Sequence, residues 1–224
     1  MDRLIANGQN KVLTVSGNAL KINWLYGYVT NGLVLCLDGI DKGNSEGNWV
    51  DLVNGYVFEG FGVPTFNVDH VYFDGTNDYF KNTVFNYVGY TSGTIEVVVD
   101  NERTGTGSFV FSPKSAGLMA HLTSNNLRIR AGSSSGKRYD GVPAKASLSA
   151  TVDHGYANGV EITTTSTGYY SPSGNASYVG ARYSNGVQGF FNGKIYSIRF
   201  YNRKLSYPEV LNNWWVDNQR FNII

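Results

Sequence analysis

The stretch Gly193-Lys194-Ile195-Tyr196-Ser197-Ile198-Arg199-Phe200-Tyr201 alternates strictly, and its period of two decides the fold class. Ile195, Ser197, Arg199 and Tyr201 fall on one face, and Tyr196, Ile198 and Phe200 on the other, which is wholly apolar or aromatic. Such a strand predicts a sandwich core on the apolar side and a partly wet opposite face. Just beyond it, Ser206-Tyr207-Pro208-Glu209 has the form of a reciprocal capping box, with proline in the first turn. The helix it opens carries Val210 and Trp214, and Leu211 and Trp215, at i,i+4 spacing. That spacing predicts an apolar side packed on the sandwich near the C-terminus.

Outward from this strand, turn signals recur along the whole chain. Asn-Gly stands at 7–8, 31–32, 54–55, 158–159, 185–186 and 192–193, and Asp-Gly at 38–39, 74–75 and 140–141. Both residues of each pair tolerate positive φ, as tight hairpins require. Between them lie strand-like segments at 11–15, 33–37, 71–73, 78–81, 93–100, 108–111, 117–122, 127–131, 146–153, 159–165, 177–180 and 189–201. Residues 1–30 differ, placing short apolar patches among Asn and Gly; they read either as an arm or as edge strands of the same domain. The expected organisation is therefore residues 1–30 as a candidate attachment segment, 31–217 as the β domain and 218–224 as a tail.

Composition agrees. The 224 residues hold 12 Phe, 4 Trp and 16 Tyr but only 16% charged residues, against roughly 25% in an average domain. Low charge with abundant Tyr, Thr, Ser and Asn suits strands with one buried and one neutral polar face, and 27 Gly against a helical bundle. Net charge is +1 with no long run of either sign, so no nucleic-acid partner is expected. The densest basic stretch is Arg128, Arg130, Lys137 and Arg138; it reads as a solvated strand face or as a site for an acidic sugar or phosphate. The single Cys36 lies in an apolar run and reads as a small buried hydrophobe. His70, His121 and His154 lack zinc spacing. No signal peptide is visible, and no stretch approaches the roughly 18 apolar residues of a spanning helix.

Four stretches together resemble the concanavalin A-like jelly roll, specifically the laminin-G-like module of bacterial and phage surface proteins. The first is Gly32-Leu33-Val34-Leu35-Cys36-Leu37-Asp38 with Trp49-Val50-Asp51-Leu52. The second is Val71-Tyr72-Phe73-Asp74-Gly75-Thr76-Asn77-Asp78-Tyr79, similar to the Phe-Asp-Gly-x-x-Asp-Tyr element. The third is Thr94-Ile95-Glu96-Val97-Val98-Val99, where a valine replaces the tryptophan often found in the family. The fourth and most specific is Phe190 to Ser206, with its Phe-x-Gly-x-Ile and Tyr-Asn-Arg-x-Leu-Ser strings. The resemblance spans residues 31 to 216 and implies an all-β, two-sheet antiparallel sandwich with one short C-terminal helix.

Many relatives in that superfamily hydrolyse glycans with two glutamates flanking an aspartate on one strand. Neither Glu-x-Asp-x-x-Glu nor Glu-x-Asp-x-Glu occurs here: glutamates stand at 46, 59, 96, 102, 161 and 209, none with an acidic residue two positions later. Acid/base hydrolysis needs two carboxyl groups at a set separation, so a non-catalytic role is expected. Two Gly-x-Ser-x-Gly strings, at 43–47 and 132–136, lack the strand-to-helix context of a nucleophile elbow. The resemblance also implies a calcium ion; Asp74, Asn77 and Asp78 offer oxygens for it, or form an Asx-stabilised turn instead. No other cofactor is expected.

Sugars are held by aromatic rings stacked on C–H faces and by polar side chains on hydroxyls. Tyr139 and Asp140, Tyr169 and Tyr170, and Arg182, Tyr183 and Asn185 stand in stretches that read as loops and are the candidate ligand-binding residues. The expectation is a lectin-like module, in a virion or at a cell surface, that binds glycan or host surface polysaccharide. It would be joined to virion or surface-assembly proteins through residues 1–30, with a homo-oligomer left open. A glycan-degrading hydrolase or lyase, and a purely structural decoration protein, are the alternatives.

Overall fold

In the computed structural model the described residues are 5–6, 9–10, 12–16, 19–23, 27–42, 47–85, 93–102, 107–114, 119–123, 126–131, 135–151, 153–162, 164–167 and 176–223. They form an all-β sandwich in which every strand pair is antiparallel, plus one helix, Tyr207–Phe221. The front sheet runs in the order Thr164–Thr167, Ser135–Asp140, Asn126–Ala131, Met119–Thr123, Ser108–Ser112, Ser177–Val179, Tyr79–Asn82, Val57–Phe61, Trp49–Val50. The back sheet runs Val160–Glu161, Gly155–Ala157, Lys145–Ala150, Thr94–Asn101, Asn192–Tyr201, Val71–Asp74, Thr65–Phe66. Leu33–Asp38 also pairs with Asn192–Tyr201, so that one strand is flanked by three others. Between the sheets Trp49, Phe58, Phe73, Phe80, Phe111, Phe191 and Phe200 are essentially inaccessible. They meet edge to face, as Trp49 and Phe73 do with Phe80.

The decisive strand departs from its simple alternation. Val98 pairs with Ser197 but Val99 pairs with Ile195, so Tyr196 is an extra, bulged residue. The bulge reverses the phase: Ile195 joins Ile198 and Phe200 in the core, while Tyr196 packs with Val98, Phe221 and Ile223 on the opposite face. Nor is that opposite face wet. Ser197, Arg199 and Tyr201 are at most 1% exposed because the C-terminal helix lies across them.

The helix begins as its sequence predicts. The Ser206 N–H and hydroxyl both donate to Glu209, which also takes a two-pronged contact from Arg203. Its buried face is another matter: Val210, Asn213, Asp217 and Phe221 point inward, and Trp215 is exposed. The expected apolar pairs gave way because the sheet beneath presents a guanidinium. Arg199 donates two bonds to Asp217, at 2.8 and 2.7 Å, and one to Glu96 at 2.9 Å. Asn213 bridges Glu96 and the Tyr201 hydroxyl, both at 2.9 Å. Tyr28 lays its ring 4.0 Å from the Arg199 guanidinium and donates to Asp217 at 2.6 Å. Arg220 then clamps Asp38 through both its terminal nitrogens.

The helix continues past residue 217, with Phe221 and Ile223 buried against the sheet, and Tyr28 and Val29 are bonded to Asp217 and Asn213. Upstream of Gly27, the described strands pair with one another: Ile5–Ala6 with Gln9–Asn10, and Val12–Ser16 with Ala19–Asn23.

Removing one partner of a buried ion pair leaves the other charge stranded, so Asp217→Ala is expected to lower unfolding free energy by about 3–5 kcal/mol. A urea titration with unchanged slope measures it. A second test uses acid. The Arg203 guanidinium and the Ser206 groups hold the Glu209 carboxyl down to about 2 from its ordinary 4.5. A depressed carboxylate stabilises the fold above its unfolded value and loses that contribution as pH falls toward its folded one. The stability difference between wild type and Glu209→Gln is therefore expected to be constant above about pH 5 and to vanish on approach to pH 2.

Candidate functional site

With the helix on the back sheet, the open sheet surface among the described residues is the outer face of the front sheet. Period two puts Glu59 and Phe61, and Tyr79 and Lys81, on that face while Phe58 and Phe80 fill the core. Tyr79 stands opposite Phe61, and the rings stack with centroids 4.8 Å apart and planes 5° from parallel. Tyr178, opposite Lys81, continues the line 6.0 Å from Tyr79, and Tyr183 stacks on Tyr178 at 6.2 Å. Phe190 closes on Tyr79 at 6.2 Å. The result is an aromatic strip, Phe61–Tyr79–Tyr178–Tyr183, crossing strands that are far apart in sequence.

One glycine makes the turn that brings Tyr183 there. Gly180 has φ +78°, and a Cβ on it would fall 2.4 Å from the Phe73 ring, so no other residue fits. Beyond it Arg182–Tyr183 pairs with Val187–Gln188 around a turn in which Asn185 and Gly186 both have positive φ. Tyr183 is half-buried, as are Phe61, Tyr79 and Phe190, whereas Tyr178 lies beneath its neighbours. Burial raises the pKa of the Tyr79 and Tyr178 phenols, so both stay neutral hydroxyls at physiological pH.

Polar groups frame the strip at both ends. At one end an open pocket of about 330 Å³ is lined by Tyr56, Val57, Glu59, Lys81, Asn82 and Val84, among others. At the other, the Arg182 guanidinium lies 5.0 Å from the Phe109 ring, which stacks on His121 at 4.4 Å. Phe109 reaches this face because a register shift between Phe109 and Phe111 turns it out, leaving Val110 and Phe111 in the core.

No protein-family model matches the chain, and no curated protein matches it in sequence. Solved structures do match in fold. A Trypanosoma rangeli sialidase in complex with sialic acid superposes with TM-score 0.59 at 15% identity, over 93% of this chain and 36% of that one. The binding domain of botulinum neurotoxin DC in complex with rat synaptotagmin II superposes with TM-score 0.58 at 12% identity, over 83% of this chain and 51% of that one. The chain thus spans roughly a third to a half of the solved chains it matches. At these identities the likeness establishes the fold alone: an antiparallel β-sandwich.

The sequence-predicted residues divide. Arg182, Tyr183 and Asn185 come together on one hairpin beside the strip, with Arg182 and Tyr183 in a short strand instead of a loop. Tyr139 and Asp140 also lie in a strand, Ser135–Asp140, where the loop expectation failed because its Ser and Gly residues mask a pairing with Asn126–Ala131. Tyr139 stands opposite Leu127, in the cross-strand row of the buried Leu122, several strands away from Tyr183. Tyr169 and Tyr170 lie outside the described residues. Phe61, Tyr79, Tyr178 and Phe190 were missed. Their signal was the alternation of Tyr79-Phe80-Lys81 and of Phe58-Glu59-Gly60-Phe61, which marks one ring in and one ring out.

Asp74, Asn77 and Asp78 do gather, and the two carboxylates accept from backbone N–H groups, that of Asn77 among them. Asp78 accepts from the Val63 N–H at 2.7 Å and the Asp74 N–H at 3.1 Å, and Asp74 accepts from the Thr76 N–H at 2.7 Å. These bonds cross-link the loop before the Thr65–Phe66 strand to the turn at 74–78. Among the described residues no group of three or more His, Cys, Asp or Glu side chains is placed to hold a metal. Among the acids, Glu96 and Asp217 are joined through one guanidinium but sealed beneath the helix, and burial raises the Glu96 pKa despite Arg199.

With the carboxylates committed to backbone N–H groups, the melting midpoint is expected to be the same in EDTA and in excess calcium. Asp78→Ala should lower it in both. Scanning calorimetry reads the outcome, and a calcium-dependent rise would assign these residues to an ion.

Proposed function

We propose that this chain is a non-catalytic, lectin-like module of the concanavalin A-like jelly-roll kind that binds saccharide on the outer face of its front sheet. The observation that carries this reading is the strip Phe61–Tyr79–Tyr178–Tyr183, four rings aligned across four strands on the outer face of the front sheet. A sugar ring has an apolar C–H face that packs on an aromatic plane and hydroxyls that need donors and acceptors. The accessible rings of Phe61, Tyr79 and Tyr183 offer aromatic surface, with Tyr178 packed beneath them, and Glu59, Lys81, Gln188 and the Tyr79 hydroxyl offer the hydrogen bonds. Rigid strands hold the rings before any ligand arrives, which limits the ordering cost of binding.

The fold is compatible with that role, since among its structural neighbours are a sialidase in complex with sialic acid and a toxin binding domain. In this reading the module is a surface or virion component, and its N-terminal residues join it to the larger assembly. Gly27 to Val29 are fastened to the helix on the back sheet, the side opposite the strip. Attachment and saccharide then occupy different faces.

Losing a central ring is expected to cost about 1–2 kcal/mol of binding, roughly a tenfold weaker association. Tyr79→Ala and Tyr183→Ala should each reduce retention on an immobilised polysaccharide panel by that order, whereas Tyr79→Phe keeps most of it. Chain-length analysis of the same polysaccharides after incubation should show no shortening. Retention indifferent to both alanine variants, or release of oligosaccharides, would contradict the proposal.

A further inference from the structure

The pocket at the end of the strip shares its sheet face. Glu59 lies two residues from Phe61 and Lys81 two residues from Tyr79, so both side chains stand on the side of those rings, about 7 Å farther along the strands. Glu59 and Lys81 are also directly opposite one another on adjacent strands. Opposite charges so placed stabilise a sheet by pairing. Here neither has a hydrogen-bond or ion-pair partner among the described residues, and both line the open volume of about 330 Å³.

The rest of the lining is of another kind. Val57 and Val84 are 43% and 72% exposed, which leaves aliphatic surface beside the two charges. Asn82, by contrast, is spent on the backbone: its amide donates to the Val57 carbonyl at 2.7 Å, and its oxygen accepts from the Val84 N–H at 2.9 Å. Those bonds hold both valines in place before any ligand arrives. Lys114 also reaches the lining, and its ammonium donates to the Thr83 carbonyl at 3.0 Å. What the pocket leaves unanswered is therefore one carboxylate, one ammonium and an aliphatic patch.

A group that answers all three must donate, accept and present a small apolar end. A secondary amide bearing a methyl does so: its N–H donates to Glu59, its carbonyl accepts from Lys81 and its methyl covers the valines. A free amine would be drawn to Glu59 but repelled by Lys81, and a carboxylate the reverse. We propose that this pocket receives the acetamido group of an N-acetylated amino sugar whose ring continues onto the Phe61–Tyr79 pair. Its volume lies at the lower end of the roughly 300–1,000 Å³ of small-ligand sites and suits one sugar residue. The proposal rests on the saccharide-binding reading and adds the ligand class.

Titration of the isotope-labelled full chain with matched sugars, followed by amide NMR, separates the two readings. The probes are N-acetylglucosamine and N-acetylgalactosamine, the corresponding free amines, and glucose and galactose. Wild type should bind the better acetamido sugar at least about tenfold more tightly than its amine or parent hexose, the contribution of a charge-assisted hydrogen bond. Shifts should centre on residues 57–59 and 81–84. Lys81→Ala and Glu59→Ala should each bring that affinity ratio toward one, with melting midpoints close to wild type because neither side chain has a partner to lose. Equal affinity for acetamido sugar and parent hexose, with shifts at residues 61, 79 and 183, would overturn this inference alone, as would a preference that survives both substitutions. Tighter binding of a free amine would also overturn it. No shift with any of the six sugars would overturn it too, and the broader saccharide reading would then stand or fall on polysaccharide retention.

Discussion

A guanidinium buried on a β-sheet must be answered by carboxylates, and Arg199 imposes that requirement on the whole back half of the molecule. Taking an unpaired charge out of water costs several kcal/mol. Burial alone would lower the pKa of Arg199, yet Asp217, Tyr28 and Glu96 hold it well above its ordinary value. Asp217 belongs to the helix, Glu96 to the neighbouring strand and Tyr28 to the segment entering the sandwich. One side chain therefore fixes where three parts of the chain meet, and its satisfaction depends on all three being in place.

The consequence for function runs through what remains uncovered. The helix and the residue 27–29 strap occupy the outside of the back sheet, and the core fills the space between the sheets. The outside of the front sheet is left uncovered by either. There the rings of Phe61, Tyr79, Tyr178 and Tyr183 form a line, with Glu59 and Lys81 at one end and the Arg182–Phe109–His121 stack at the other. The Glu96–Asp217 pair, which in an open cleft would invite an acid/base interpretation, serves instead as the counter-charge to an arginine.

Local signals in the sequence were legible because their physics is local. The capping box at Ser206 and Glu209, the Asn158-Gly159 turn and the Asn185-Gly186 turn depend on residues a few positions apart, and all three are present. The bulge at Tyr196 was not legible, since one inserted residue reverses the facing of a strand without altering its composition. Asp217 carries no local signal, because its partner, 18 positions upstream, meets it only when the strand lies beneath the helix. The aromatic strip was missed for the same reason: Tyr79 and Tyr178 become neighbours through sheet order, which periodicity does not carry. Tyr183 and Arg182 were singled out because they stand next to an Asn-Gly turn, a signal that is local.

The central claim is that one face of one sheet is the recognition surface and the helix side is not. Amide hydrogen exchange of the full chain, with and without an excess of a polysaccharide that it retains, tests this most directly. Added protection should concentrate in Val57–Phe61, Tyr79–Asn82, Ser177–Val179 and the 182–188 hairpin, with the Tyr207–Phe221 helix unchanged. Protection confined to the helix and residues 27–30, with none on the front sheet, would contradict it.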